Sequence, residues 1–353
     1  MGFPQTYRLD AVRIASGRFD DVIDVRSPSE FAEDHLPGAI NLPVLDDDQR
    51  AQIGTIYKQV SPFDARKLGA ALVAANAARH ISGPLADRDG SWRPLVYCWR
   101  GGQRSGALAT ILAQVGWRVA RVEGGYKSWR AQVVRRVQDL GFPAPVIVLD
   151  GNTGSAKTAI LSRLAARGHQ VVDLEGLANH RGSLFGHRGA QPGQKLFEGR
   201  LAAALEGLDP DRPVLVEAES SRIGDVILPK AVWQAVANAP RLALQVPVGA
   251  RAAFSARDYG DVAADPGRVQ DIIRRLSSLH PAARIEEWLR LADAGAWRDL
   301  AEGLMRDHYD PRYAKHRARY AERERATVAL ADLRDLDAAT VQVEAALQDF
   351  RRA

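Results

Sequence analysis

An apolar run at residues 146–150 leads into Gly151-Asn152-Thr153-Gly154-Ser155-Ala156-Lys157-Thr158, and a helix-like stretch over 157–166 leads out. A buried strand, a glycine-rich turn and a helix in direct succession leave few architectures open. The strand calls for parallel neighbours, with helices covering both faces of the sheet. The turn points several backbone N–H groups at one spot, where the helix dipole favours an anion. A lysine at the start of such a helix reaches phosphate oxygens, and the hydroxyl after it is placed to bind Mg²⁺. Gly151, Gly154, Lys157 and Thr158 are therefore the expected phosphate-binding residues. The spacing G-x-x-x-x-G-K-[ST] is met except at its second glycine, where Ala156 stands. A Cβ crowds the loop if that position requires a positive φ. This weighs against a nucleotide more than against another diphosphate.

The same succession occurs earlier. Residues 94–97 form an apolar run, residues 103–115 are helix-like, and between them lies Cys98-Trp99-Arg100-Gly101-Gly102. Cys98 is the chain's one cysteine. It sits at the mouth of a tight loop before a helix N-terminus, with Arg100 and Arg104 adding positive charge. Such surroundings lower a thiol's pKa and hold an anion beside it. Cys98 and Arg104 are the expected catalytic pair, with Trp99, Arg100, Gly101, Gly102 and Gln103 as the anion cradle. A single cysteine forms no internal disulfide, which points to a reducing, cytoplasmic setting.

Strand and helix patterns alternate along the first half. Strands are expected at 22–25, 94–97 and 118–122, a turn at 37–39, and helices from Ser29, at 50–59, 62–79 and 126–140. Gly141-Phe142-Pro143-Ala144-Pro145 breaks the pattern and reads as a linker. The expected organisation is thus one α/β domain over 1–140, a linker at 141–145 and a second α/β domain over 146–353. In the second half, strands are expected at 146–150, 170–174, 213–218, 242–246 and 327–331. A long helical insertion runs from about 249 to 320, and a final helix spans 338–350. No run is long and apolar enough to cross a membrane, and the N-terminus lacks a signal-peptide core.

Val214-Leu215-Val216-Glu217-Ala218-Glu219 places two acids at a strand end beside the phosphate loop. Glu217 and Glu219 are candidates for holding a metal-bound water or a basic substrate group; solvated strand-end acids are the plain alternative. No His/Cys constellation has the spacing of a metal centre. Two segments are dense in basic and aromatic residues. One contains His180, Arg181 and Arg188; the other, His308-Tyr309-Asp310-Pro311-Arg312-Tyr313, contains Arg312. They suit phosphate backbones and unstacked bases, or else form solvated faces. The formal charge of +5 adds mild support for a polyanionic partner.

Taken together, these motifs resemble a known family. Asp24-Val25-Arg26-Ser27-Pro28-Ser29-Glu30-Phe31 and His35-Leu36-Pro37-Gly38-Ala39-Ile40-Asn41 resemble the opening of rhodanese domains, and Cys98 falls where those domains hold their cysteine. A rhodanese-like domain followed by a P-loop NTPase-like domain is similar to the tRNA 2-selenouridine synthases. Gly54-Thr55-Ile56-Tyr57-Lys58, Leu174-Glu175-Gly176-Leu177-Ala178-Asn179-His180-Arg181-Gly182-Ser183 and Tyr309-Asp310-Pro311 strengthen the likeness, in the family's order over nearly the whole chain. The resemblance implies conversion of 2-thiouridine to 2-selenouridine at wobble position 34 of certain tRNAs. Sulfur is first alkylated from geranyl diphosphate, and selenium from selenophosphate then displaces the S-geranyl group. An alkylated sulfur leaves far more readily than a thiocarbonyl sulfur.

In this scheme Cys98 carries selenium as a perselenide, and with no second cysteine it delivers it directly to the tRNA. The cradle with Arg104 holds selenophosphate, and the phosphate loop holds the diphosphate. His180, Arg181 and Arg188 contact the tRNA anticodon stem-loop or the leaving phosphate, and Arg312 contacts the tRNA. Geranyl diphosphate and selenophosphate are co-substrates, Mg²⁺ is a candidate ion, no tightly bound cofactor is expected, and a monomer is favoured. The residues leave rival readings open. Cys98-x5-Arg104 has the spacing of a cysteine-dependent phosphatase. An ATP-using tRNA sulfurtransferase and a non-enzymatic RNA-binding regulator also share these features.

Overall fold

The computed structural model describes residues 4–8, 17–186, 189–258 and 265–350. They form two compact units. The first takes residues 1–140 together with Gly193–Gly207, and the second takes Gly141–Pro192 and Leu208–Ala353.

The first unit is built on a five-stranded sheet, paired parallel throughout. Its strands are β1 (Gln5–Tyr7), β2 (Asp21–Asp24), β3 (Ala39–Asn41), β4 (Pro94–Tyr97) and β5 (Ala120–Val122), in the order β1-β5-β4-β2-β3. The expected central strands are all present. The edge strands β1 and β3 are additional: three residues each give no readable alternation, and β3 begins within the turn expected at 37–39. Helices α1 (Pro28–Glu33), α2 (Asp47–Gln59), α3 (Pro62–Ser82), α4 (Gln103–Val115) and α5 (Gly125–Val134) complete the unit, the last continuing as a π-helical turn, Arg135–Leu140. Ile23, Val25, Val96, Leu108 and Leu112 are among its fully enclosed core residues.

The opening motif is structural. Buried Arg26 pairs with buried Asp24 at 2.6 Å, donates to the Asp34 carbonyl and lies 4.0 Å from the Tyr126 ring centroid. Asn41 Nδ2 donates to the carbonyls of Asp24 and Arg26, so β3 is tied to the end of β2. A helix that sequence periodicity missed, α6 (Gln194–Glu206), also belongs here. Phe197, Leu201 and Leu205 are buried along one face, and Arg136 donates to Glu206 at 2.8 Å. The first unit is therefore discontinuous in sequence, unlike the expected 1–140 domain.

The second unit carries another all-parallel sheet, with strands β6 (Val146–Gly151), β7 (Gln170–Val171), β8 (Val214–Glu217), β11 (Arg241–Gln245) and β12 (Glu324–Ala329) in the order β12-β11-β6-β8-β7. A two-stranded hairpin, β9 (Arg222–Ile223) with β10 (Val226–Ile227), stands apart from it. The strand expected at 170–174 stops after two residues. Asp173 caps a short helix, α7 (Leu174–Leu177), by accepting from the Gly176 N–H at 2.7 Å. Helix α8 (Lys157–Ala166) follows the phosphate loop, and α9 (Lys230–Asn238) precedes β11.

The expected helical insertion comprises α10 (Val248–Asp258), α11 (Pro266–Arg275), α12 (Ala282–Asp293), α13 (Trp297–Leu304) and α14 (Asp310–Arg317). It has its own core around Ile273, Trp288, Leu300 and Leu304. A closing helix, α15 (Leu336–Phe350), packs against the sheet through Val343 and Leu347.

Candidate active sites

The phosphate loop lies at the C-terminal end of a central strand, where parallel sheets present their ligand sites. Gly151 N–H donates to Asp150 Oδ1 at 2.7 Å, and Lys157 Nζ donates to the Gly151 carbonyl at 2.9 Å. Ala156 does adopt the left-handed conformation, φ 59° and ψ 25°, at the N-terminus of α8. The loop thus keeps the backbone a glycine would give it, at a cost of about 1 kcal/mol. Gly154 has φ +82°, and a Cβ there would lie 2.6 Å from Met305 Cε and 2.7 Å from Ser255 Oγ.

Asp310 clamps the loop from outside. Its carboxylate accepts from Asn152 Nδ2 at 3.0 Å and from both terminal nitrogens of buried Arg251, at 3.0 and 2.6 Å. Arg251 also donates to the Thr153 carbonyl at 3.0 Å. Asp310 of the Tyr309-Asp310-Pro311 motif thus holds the loop through Asn152 and Arg251.

Acids gather on the other side of Lys157. Thr158 Oγ1 donates to Glu175 Oε2 at 2.9 Å, and Glu175 N–H donates to Glu217 Oε1 at 2.8 Å. Glu217 is fully buried, and its Oε2 has no hydrogen-bond partner among the described residues. Burial pushes the Glu217 carboxyl well above the usual range, reinforced by Asp173 and Glu175. Burial likewise raises Glu219, helped by Glu175 and Glu217 and opposed by Lys157. For Lys157, burial opposes the charge, but Tyr313, Glu175, Glu219 and Asp150 carry its pKa above the ordinary lysine value. Lys157 therefore stays cationic. A cavity of about 350 Å³ opens here, lined by the loop from Thr153 to Thr158 with Glu175, Arg181 and Tyr313.

The basic segments divide. Arg181 lines the cavity beside the glycine-rich loop. His180 is buried, and its Nδ1 accepts from the Gly182 N–H at 3.0 Å, so it shapes the turn and offers no surface to tRNA, correcting that expectation. Gly182 has φ +64°, and a Cβ there would come within 2.7 Å of both Glu175 and Glu219 carboxylates. The motif needs glycine to lie against the acids. Arg312 is exposed on α14, away from the cavity lining, and Arg188 lies outside the described residues. Sequence reasoning left Glu175, Arg251, Asp310 and Tyr313 without roles. Only the quoted motifs around Glu175 and Asp310 marked them.

In the first unit, Cys98 is 3% exposed at the end of β4, and Ser105 Oγ donates to its Sγ at 3.2 Å. The Cys98 and Trp99 carbonyls accept from Tyr126 and Lys127 N–H at 2.8 and 3.0 Å. The loop is thus pinned to the start of α5. This approach requires glycine: at Gly125, φ +59°, a Cβ would lie 2.3 Å from the Cys98 carbonyl oxygen. Gly102 is the N-cap of α4 and offers no side-chain cap, so the helix N-terminus is of the kind that can accept an anion. Arg100 is exposed beside it. Arg104 is engaged elsewhere. Its Nη1 donates to Glu30 Oε2 at 2.7 Å, and Arg50 binds the same oxygen at 3.0 Å. Burial alone would raise Glu30, but Arg104 and Arg50 hold it below the usual carboxylate range. The guanidinium that a phosphatase would turn on its substrate is here held by a carboxylate. Among the described residues no group of three or more His, Cys, Asp or Glu side chains is placed to hold a metal ion.

A cysteine loop on one parallel sheet and a phosphate loop on another define a two-domain class, rhodanese-like followed by P-loop-like. The family model for the rhodanese-like domain matches residues 11–132, and that for the tRNA 2-selenouridine synthase AAA domain matches 144–268. The chain is 34% identical over 362 residues to a tRNA 2-selenouridine synthase of Hahella chejuensis, covering 94% of each. It is 35% identical over 327 residues to that of Verminephrobacter eiseniae, covering 84% of this chain and 88% of the other. Among solved structures, a rhodanese-related protein from Thermoplasma volcanium is 21% identical, with a TM-score of 0.23 over 36% of this chain and 93% of its own. The chain belongs to the tRNA 2-selenouridine synthase family.

Proposed function

We infer that this protein is a tRNA-modifying transferase that converts 2-thiouridine to 2-selenouridine through an S-geranyl intermediate. The observation that carries the alkylation step is an apolar slot beside the phosphate loop. Thr153 and Ser183 line both the phosphate cavity and the slot, whose walls include Phe185, Trp297, Leu304 and Met305. A polar cavity with a fixed lysine joined to an apolar slot matches a prenyl diphosphate, charged at one end and apolar at the other. The slot is narrow, about 90 Å³, so a ten-carbon chain enters it extended and displaces side chains. Met305, unbranched and adaptable, is suited to yield.

In the first step the thiocarbonyl sulfur attacks C1 of the geranyl group, the C–O bond breaks and diphosphate leaves. Lys157, Arg181 and the loop N–H groups stabilise the charge developing on the departing oxygens. The oxygen donors Thr158 and Glu175 fit Mg²⁺, which prefers hard oxygen ligands and would neutralise diphosphate charge. In net terms, selenophosphate and water then supply hydroselenide and phosphate. Selenium adds at C2, the C2–S bond breaks, and geranylthiol departs with a proton. Cys98 is assigned to holding the reacting selenium, which stays at the selenide level throughout as the P–Se bond breaks and water takes the phosphoryl group, with the uncapped α4 N-terminus holding the selenophosphate anion.

Separating the steps tests this division of labour. Cys98→Ala is expected to abolish selenation while S-geranyl-tRNA still forms. Lys157→Ala is expected to remove geranylation first. Loss of both activities in Cys98→Ala, or normal geranylation in Lys157→Ala, contradicts the assignment.

A further inference from the structure

The Gly54-Thr55-Ile56-Tyr57-Lys58 motif has no part in either loop. It lies on α2 and lines a groove of about 730 Å³ in the first unit, walled by α2, α3 and α4. That volume is in the range of small-molecule sites, roughly 300–1,000 Å³. The floor is apolar, with Ile53, Val73, Ala107 and Ile111. The rim is basic, with Arg50, Lys58, Arg66 and Arg104. Arg50 and Arg104 are engaged by Glu30, whereas Lys58 and Arg66 are exposed and form no ion pair among the described residues. Tyr57 stands 54% exposed at the same edge. The groove also reaches the first turn of α4, directly after the cysteine loop, since Gln103 and Arg104 are part of the lining.

We propose that this groove receives the S-geranyl chain of the alkylated tRNA nucleotide while selenium is delivered from the Cys98 loop. The proposal rests on the geranyl intermediate inferred above. The occupant follows from charge and polarity together: an apolar floor takes a hydrocarbon chain, and free cations on the rim take the phosphates of the strand that carries it. The placement serves the chemistry. The chain being expelled is anchored beside the loop that brings the nucleophile, so C2 is held near selenium as C2–Se forms and C2–S breaks, with geranylthiol leaving along the groove. The reaction consumes selenophosphate and water and needs no oxidant.

The test uses the full-length protein and two anticodon stem-loop RNAs carrying S-geranyl- or S-methyl-2-thiouridine, each supplied with selenophosphate. The expected kcat/KM favours S-geranyl by at least tenfold. In Ala107→Trp, which fills the floor, and in Ile53→Ser, that ratio falls toward one, mainly through KM for the geranyl substrate. Geranylation of 2-thiouridine RNA by the same samples reports folding. A terminal diazirine on the S-alkyl chain is expected to crosslink within residues 53–74 or 103–111. Equal turnover of both substrates by the wild type, an unchanged ratio in both variants, or crosslinks confined to the second unit overturns the groove assignment. No selenation of S-geranyl RNA under any condition overturns the underlying intermediate as well.

Discussion

Gly125 shows how far single positions are constrained around the thiol. Its φ is +59°, and a methyl group there meets the Cys98 carbonyl and the Gly101 N–H. Gly125→Ala is expected to cost about 3 kcal/mol by backbone strain and displacement of the loop. Denaturant titration checks the loss, and the loop shift is expected to depress selenation more than geranylation. Glu217 gives a pH-dependent case. Its carboxyl titrates above the ordinary range because it is buried. The folded state therefore holds a proton that the unfolded state gives up. The associated stability is complete at low pH and is lost as pH rises from about 4.5 through the folded value. Glu217→Gln keeps an acceptor for the Glu175 N–H and removes the charge. Its melting temperature is expected to exceed that of the wild type at pH 8 and to match it near pH 5; the reverse order contradicts the burial argument. The placement of Cys98, Lys157 and Thr158 at turns between a strand and a helix was legible from the sequence, because it follows from local patterns. Glu175 and Arg251 were not, since their roles arise from contacts with residues 42 and 59 positions away.

At the scale of elements, long apolar strands and periodic helices declare themselves, whereas three-residue edge strands do not. Helix α6 was missed because 180–193 reads as one basic, glycine-rich loop that conceals where order resumes. The helical insertion was visible as a block, but the slot it forms depends on how α10, α11 and α13 pack, which periodicity does not encode. The Arg251–Asp310 clamp joins this insertion to the phosphate loop. Asp310→Ala leaves a buried guanidinium short of its acceptors and is expected to cost about 2 kcal/mol. It should also raise KM for geranyl diphosphate, because Asn152 and Thr153 lose their hold. Unchanged KM and stability would remove the clamp from the account. Met305→Phe narrows the slot and is expected to favour dimethylallyl over geranyl diphosphate, read as a ratio of kcat/KM values. An unaltered ratio would place the chain elsewhere.

Each unit carries one loop between a strand and a helix: a glycine-rich loop beside an apolar slot in the second, and a cysteine loop before an uncapped helix in the first. The two-part design was legible because each loop follows a strand and opens a helix, and that succession fixes a parallel sheet in both units. The discontinuity of the first unit was not legible, since a chain that returns to an earlier unit leaves no local mark. The net charge of +5 suits a polyanionic substrate, and tRNA binding is expected to weaken linearly on a logarithmic scale as salt is raised. The proposed exchange is ordered: sulfur is alkylated first, and selenium then replaces the alkylated sulfur at C2. The most direct measurement is mass analysis of nucleosides from a 2-thiouridine tRNA incubated with the protein, geranyl diphosphate and selenophosphate, each omitted in turn. The expected products are 2-selenouridine with both present, S-geranyl-2-thiouridine with geranyl diphosphate alone, and unchanged 2-thiouridine with selenophosphate alone. Formation of 2-selenouridine at full rate without geranyl diphosphate would contradict this order.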